Sequence, residues 1–278
     1  MFRRQRTGSV VCPSCGNLVG VNDARCYTCG RWNPGLWGFT PVLRRLGAEF
    51  GFAESVTGAC VLLYFAMLVY SGSHIRMTGL FGFLSPDQVT MLIFGASGAL
   101  PMFGYGRWWT VLSAGWLHAG LLHILFNMLW VRQLGPAVVE LFGVGRTIII
   151  YTVGGAVGFF MSSLMGYLLG GVPILGGSFL TLGASAPIFA LLGALVHYGR
   201  QMSSLVKSQA AGYAMTLFIF GLLMPGVDNW AHGGGFIGGY LMSFALDPRR
   251  PETGNHLIGA FVCFVATAAA LVASFLLR

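Results

Sequence analysis

Two residues stand out for the chemistry their types allow. Ser185 lies in the run Gly183-Ala184-Ser185-Ala186-Pro187, and His232 in Ala231-His232-Gly233-Gly234-Gly235-Phe236-Ile237-Gly238-Gly239. A serine hydroxyl becomes a nucleophile when a base within hydrogen-bond reach takes its proton, and imidazole suits that task near neutral pH. Pro187 fits a first helical turn, where its missing N–H costs nothing, so Ser185 is expected at a helix start. Free N–H groups and the positive dipole end there can stabilise an oxyanion. A lone serine at a helix start is usually just a cap, so the surroundings decide. His123 and Asn127 are four apart and share a helix face, which makes them candidate oxyanion donors. His118 is expected to brace the preceding connector by hydrogen bonds. Arg107-Trp108-Trp109-Thr110 reads equally as an interfacial anchor or as a brace for an active-site loop. A metal site from His118, His123 and His232 is set aside, because no carboxylate accompanies them in the apolar segments.

The elements that must hold these residues are membrane spans. Of 278 residues 55% are hydrophobic and 9% charged, with a mean hydropathy of +0.74. A soluble domain carries about 25% charged residues, so lipid must cover most of this surface. The 42 glycines then indicate closely packed helices and not loops. A span needs roughly 20 apolar residues. On that measure seven spans are expected, at 55–73, 118–137, 147–168, 185–200, 208–224, 230–246 and 256–277. Residues 74–117 form a connector whose apolar middle, 91–100, is too short to cross and is expected to be re-entrant or interfacial. In the sixth span Gly235/Gly239 and Gly234/Gly238 leave a flat face. The fourth carries a matching stripe of Ala186, Ala190 and Ala194, so the two should pack tightly and bring His232 to Ser185.

Charge sets an expected orientation. With the N-terminus cytoplasmic, 13 of the 16 Lys and Arg residues fall inside, while Arg76, Arg107 and Arg278 fall outside. The net charge of +8 is explained this way and needs no nucleic-acid partner. Ser185, His232 and the first connector then share the outer side of an inner cell membrane. No signal peptide is expected, since a polar cysteine-rich segment follows the basic start. Asp228, four before His232, is expected to cap a helix.

Cys12-Pro-Ser-Cys15 and Cys26-Tyr-Thr-Cys29 are two C-x2-C pairs, each followed by glycine. Four thiolates can surround one Zn2+, and the glycines tolerate the left-handed backbone of such turns. The segment resembles a small zinc ribbon. A reducing cytoplasm argues against disulfides. The module either docks a cytoplasmic protein partner or anchors the N-terminus. Cys60 and Cys263 read as apolar packing residues.

Taken together, WWTVLSAGWLHAGLLHILFNMLW (108–130), GASAPIFALLGA (183–194) and AHGGGFIGG (231–239) resemble the rhomboid intramembrane serine proteases, over about residues 55–250. The resemblance implies an all-α polytopic membrane protein. Its parts would be a zinc-ribbon-like module at 1–35, an amphipathic linker at 36–54, a six-helix rhomboid-like bundle at 55–250 and an added seventh transmembrane helix at 251–278. It further implies cleavage of transmembrane protein substrates by a Ser185–His232 dyad with no required aspartate. His123 and Asn127 match oxyanion residues, Gly183 the glycine two before the nucleophile, and Phe189 an aromatic residue lying against the base. No catalytic cofactor is implied. Two departures stand: Ala186 replaces the usual glycine after the nucleophile, where its methyl could narrow the oxyanion pocket, and Arg107 precedes the tryptophans. The alternative is an inactive rhomboid-like protein that binds membrane clients. A transporter is disfavoured by the absence of an internal repeat.

Overall fold

The computed structural model describes residues 4–41, 51–79, 82–170, 172, 176–224, 226–250 and 252–277. Of the linker expected at 36–54, residues 42–50 lie outside these, as do Arg3, Arg44, Arg45 and Arg278.

Long apolar runs punctuated by glycine, proline and capping residues give seven long helices among the described residues. They are α1 (Phe52–Ser71), α2 (Leu121–Phe142), α3 (Val144–Leu169), α4 (Ser185–Met202), α5 (Ser204–Leu223), α6 (Asn229–Leu246) and α7 (Gly254–Leu276). Each coincides with an expected span to within a few residues. Their starts are chemically marked. Ser203 accepts from the Val206 N–H, Asp228 accepts from the Ala231 N–H, and Thr253 with His256 forms a capping box.

Among the described residues, four helices are long and apolar enough to cross a membrane: the run Phe52–His74, α3, α5 and α7. Thr110–Trp116 with α2, bent by 93°, makes a fifth. The protein is therefore a multi-pass membrane protein. α4 and α6 are less apolar because they carry the polar candidates, and the fold shields them. α6 sits between α3 and α4 with its glycines in both seams. A Cβ on Gly235 would lie 2.3 Å from the Ala186 carbonyl oxygen, and one on Gly239 1.9 Å from that of Ala190. On the other face, a Cβ on Gly234 or Gly238 would come within 3.0 Å of the Cα of Gly158 or Gly154 on α3. Lipid offers no hydrophobic drive for helix association, so such backbone-to-backbone contact supplies the attraction by dispersion. The expected α4–α6 seam is present, and the second glycine pair serves α3.

The connector folds into pieces. Strand Arg76–Thr78 pairs antiparallel with Gly82–Ser85. A short helix, Gln88–Phe94, is capped by Asp87 and ended by Gly95 at φ +102°. The apolar stretch 91–100 makes no span, as expected. At Ser97 it makes a single antiparallel bridge: Ser97 and Thr181 exchange both backbone hydrogen bonds, at 2.9 and 2.7 Å. Arg146, counted in the sequence as a cytoplasmic surface charge, is instead buried. Its guanidinium donates to the carbonyls of Asp247 and Arg250 and to His256 Nδ1, tying the start of α3 to the start of α7.

Candidate active site and cysteine cluster

Ser185 is the first residue of α4, half-buried, with Ala184 before it fully buried. The first N–H groups of a helix have no intrahelical acceptor, so its own N–H is available as a donor. The turn before it depends on Gly183. This residue has φ +131°, and a Cβ there would sit 2.5 Å from His123 Nε2. Only glycine allows that backbone and lets the imidazole come so close.

His123 has a defined tautomer. Its Nδ1 accepts the Ala119 N–H at 3.2 Å, so in the neutral ring the proton resides on Nε2, the nitrogen facing Gly183. Asn127, one turn later and buried, donates one amide hydrogen to the His123 carbonyl at 2.8 Å, leaving its second hydrogen free. His123 Nε2 thus faces the turn just before Ser185, and Asn127 follows one turn along the same helix.

His232, in the first turn of α6, is 5% exposed. Its ring lies flat on Phe189 of α4, with centroids 4.3 Å apart and planes 12° apart. Its Nδ1 is buried with no hydrogen-bond partner. Asp228 does not supply one: it accepts from the Ala231 N–H at 3.0 Å and from the Ser162 hydroxyl. The ring is oriented by an aromatic face where a triad would use a carboxylate. Asp228 is a cap, as expected.

The Ala186 methyl points at α3, in a small cluster with Ala114, Phe159 and Ala231, within 3.0 Å of where a Cβ on Gly158 would stand. It therefore fills the α3–α4 seam and does not crowd His123. His118 is fully buried; its ring meets His123 edge-on at 5.2 Å and interacts with the Trp116 backbone, within the connector it was expected to brace. Arg107 is the brace of the two readings offered for it, while neighbouring Trp108 is 66% exposed, as an interfacial anchor would be.

The sequence reading missed a second serine–histidine pair on the same two helices. His197 Nδ1 lies 2.8 Å from Ser243 Oγ, and Gln201 Nε2 lies 3.0 Å from His197 Nε2. One signal was available: His197 follows Ser185 by twelve residues and Ser243 follows His232 by eleven. In parallel helices packed side by side, equal offsets meet.

At the N-terminus, Ser9–Val11 and Leu18–Gly20 form a hairpin that positions the first cysteine pair. Both cysteine turns close the same way. The Gly16 N–H donates to the Cys12 carbonyl at 3.0 Å and the Gly30 N–H to that of Cys26 at 2.9 Å, with φ +76° and +72° at the two glycines. Ligand atoms of Cys12, Cys15, Cys26 and Cys29 all lie within 4.8 Å of one another. Sulfur separations of 3.7 Å (Cys12–Cys29) and 3.6 Å (Cys15–Cys26) exceed a disulfide bond of about 2.05 Å. They match the edge, about 3.8 Å, of a tetrahedron with metal–sulfur bonds of about 2.3 Å. The cluster can hold a metal ion. The backbone N–H of Cys29, directed at the Cys26 sulfur, pulls that thiol down to about 6, while loss of solvent pushes Cys29 up to about 12. Deprotonating all four sulfurs this close together requires a cation to offset their charge.

This arrangement defines a polytopic helical membrane protein in which Ser185 and His232 open two neighbouring helices of a glycine-packed trio and His123 faces the turn before Ser185. Residues 105–249, just over half of the chain, match the family model of the Rhomboid domain. The chain belongs to the rhomboid family. It is similar to Rhomboid protease GluP of Bacillus subtilis (strain 168), 30% identical over 181 residues, which cover 63% of this chain and 33% of that protein. It is also similar to RHOMBOID-like protein 7 of Arabidopsis thaliana, 33% identical over 168 residues (59% of this chain, 50% of that one). RHOMBOID-like protein 2 of the same plant is 32% identical over 193 residues, covering 64% and 57%. The chain thus spans between a third and a little over half of the length of these relatives.

Proposed function

We propose that this chain is an intramembrane serine endopeptidase that cleaves transmembrane segments of membrane proteins, with Ser185 as nucleophile and His232 as base. The observation that carries this reading is the His232 ring stacked on Phe189, in the helix that begins at Ser185. The imidazole takes the hydroxyl proton as Ser185 Oγ bonds to the substrate carbonyl carbon. The carbonyl oxygen receives the electron pair and is held by the Ser185 N–H, His123 Nε2–H and the free Asn127 amide hydrogen. Collapse breaks the C–N bond, and the departing amine takes the proton from the imidazole. Water then gives a proton to the imidazole and hydrolyses the ester, and the proton returns to Oγ. A neutral imidazole suffices for this, so no carboxylate partner is required.

The domain reading is proposed along with it: a metal module at 1–35, a linker at 36–54, the catalytic bundle at 55–250 and an appended helix at 251–278. The proposed setting is an inner cell membrane with the N-terminus cytoplasmic and the Ser185 end outward, supported by the positive-inside bias. The proposed ion at the N-terminal cluster is Zn2+. Four thiolates leave no open position on the metal, so its role is structural. Elemental analysis should find roughly one zinc per chain, lost on Cys15→Ser. Retention should weaken in acid, as protons compete with the metal for the four sulfurs. A folded module with no bound metal would overturn the assignment.

The second reading, an inactive client-binding rhomboid-like protein, draws support from the absence of any partner on His232 Nδ1. A fluorophosphonate probe separates the two. The protease reading expects a Ser185-dependent adduct, and a folded preparation that forms none supports the binder.

A further inference from the structure

We infer that the seventh helix positions the nucleophile turn, acting through Arg107 and Trp109 of the connector; this rests on Ser185 being the nucleophile. Arg107 is charged yet only 7% exposed, and among the described residues it has no acidic partner. A buried cation in an apolar bundle is costly unless carbonyls or carboxylates face it. Here its guanidinium donates to the Leu92 carbonyl at 2.8 Å and to the Ser274 carbonyl at 2.7 Å. Both lie at helix C-terminal ends, where carbonyls lack intrahelical partners and the dipole is negative. Trp109 Nε1 donates to the Ser274 hydroxyl at 3.0 Å. α7 also lies hard against Gly95, where a Cβ would come within 2.5 Å of Ser274 Oγ and 2.4 Å of Ser113 Oγ.

The connector anchored in this way is the scaffold of the segment before Ser185. Ser97 and Thr181 exchange two backbone bonds. The Ala99 N–H donates to the Ser178 carbonyl at 3.0 Å, and the Leu100 N–H to that of Phe179 at 3.2 Å. The Gly183 N–H donates to the Ala114 carbonyl at 3.0 Å. Contacts therefore run without a break from Ser274 through Arg107, Trp109 and Ala114 to Gly183 and Ser185. His232 is held separately, by the glycine seams with α3 and α4. Loosening α7 would shift the nucleophile turn relative to its base. This also gives a reason for the displaced arginine: it serves a helix that a six-helix bundle lacks.

The test uses the full chain in lipid nanodiscs. Arg107→Ala should lower the fluorophosphonate labelling rate of Ser185, and kcat for a single-span substrate, by about ten- to a hundredfold with KM within about twofold. Arg107→Lys, which keeps a donor, should recover part of the loss. Trp109→Phe and Ser274→Ala remove the same bond, so their effects should not add in the double variant. Amide hydrogen exchange should quicken at Ser97, Thr181 and Gly183 while the α4–α6 interior keeps its protection. Wild-type labelling in folded Arg107→Ala, or exchange rising evenly through the bundle, overturns the inference. Should wild-type Ser185 prove inert, the protease reading fails. The exchange pattern then decides: selective loosening of 178–183 supports the latch, and an unchanged pattern overturns it.

Discussion

α4 and α6 carry two serine–histidine pairs, about 18 Å apart along the helices at 1.5 Å per residue, with the roles exchanged. At one end Ser185 is on α4 and His232 on α6; at the other His197 is on α4 and Ser243 on α6. The second pair is hydrogen-bonded and has the worse prospects as a catalyst. The Gln201 amide nitrogen donates to His197 Nε2, which places the ring proton on Nδ1, directed at Ser243 Oγ. The imidazole therefore donates to the serine, the reverse of what a nucleophile needs. Ser243 is completely buried, and Tyr240 and Phe244 close around the ring edge-on. At the Ser185 end the serine is half-open, and the His232 ring is held by stacking on Phe189. Satisfied polar groups hold helices together; those left short of partners are available to a substrate.

This contrast can be broken experimentally, most sharply at the pairs themselves. Ser185→Ala and His232→Ala should each lower cleavage of a single-span substrate by on the order of 10⁴-fold, whereas Ser243→Ala should keep it within about threefold. Full cleavage by either of the first two variants would sink the dyad. Next in size, His123→Ala removes the donor facing Gly183 and should cost about 10²–10³ in kcat, measured with the protein still folded. A loss confined to KM would contradict an oxyanion role. The glycine seam offers a third contrast within one run of sequence. Gly239→Val forces α4 and α6 apart and should destabilise by about 1–3 kcal/mol in thermal unfolding. Gly233→Ala, with nothing within 4 Å of its Cβ, should leave the melting temperature unchanged. The smallest effect belongs to the sealed pair. Ser243→Ala should cost about 1 kcal/mol of stability while fluorophosphonate labelling of Ser185 proceeds at its normal rate.

Much of this was legible in the sequence because membrane spans announce themselves locally. Uncharged runs gave all seven helices, Pro187 gave the start of α4, and the spacing of Gly235 and Gly239 gave the α4–α6 seam. The two C-x2-C pairs gave the cysteine cluster. What was not legible depended on partners far along the chain. Arg107 reads equally as an anchor or a brace until the Ser274 carbonyl, over 160 positions later, is seen to accept from it. Arg146 counted as a surface charge because its acceptors, at 247–256, sit beyond three further spans. His197 and Ser243 become a pair only once α4 and α6 are known to run parallel and in contact.

The glycine seams of α6 also bear on how the chain is built. A helix entering lipid is sorted by its own apolarity, and α4 and α6 are not among those long and apolar enough to pass alone. Their seam-facing backbone is shielded only when α3 lies against it, through Gly154 and Gly158. Synthesis delivers α3 first, so each weak helix arrives beside a surface already cut to receive it. The residues that make these two helices poor lipid ligands also commit them to each other, so the two helix starts that carry Ser185 and His232 are set side by side as a by-product of insertion.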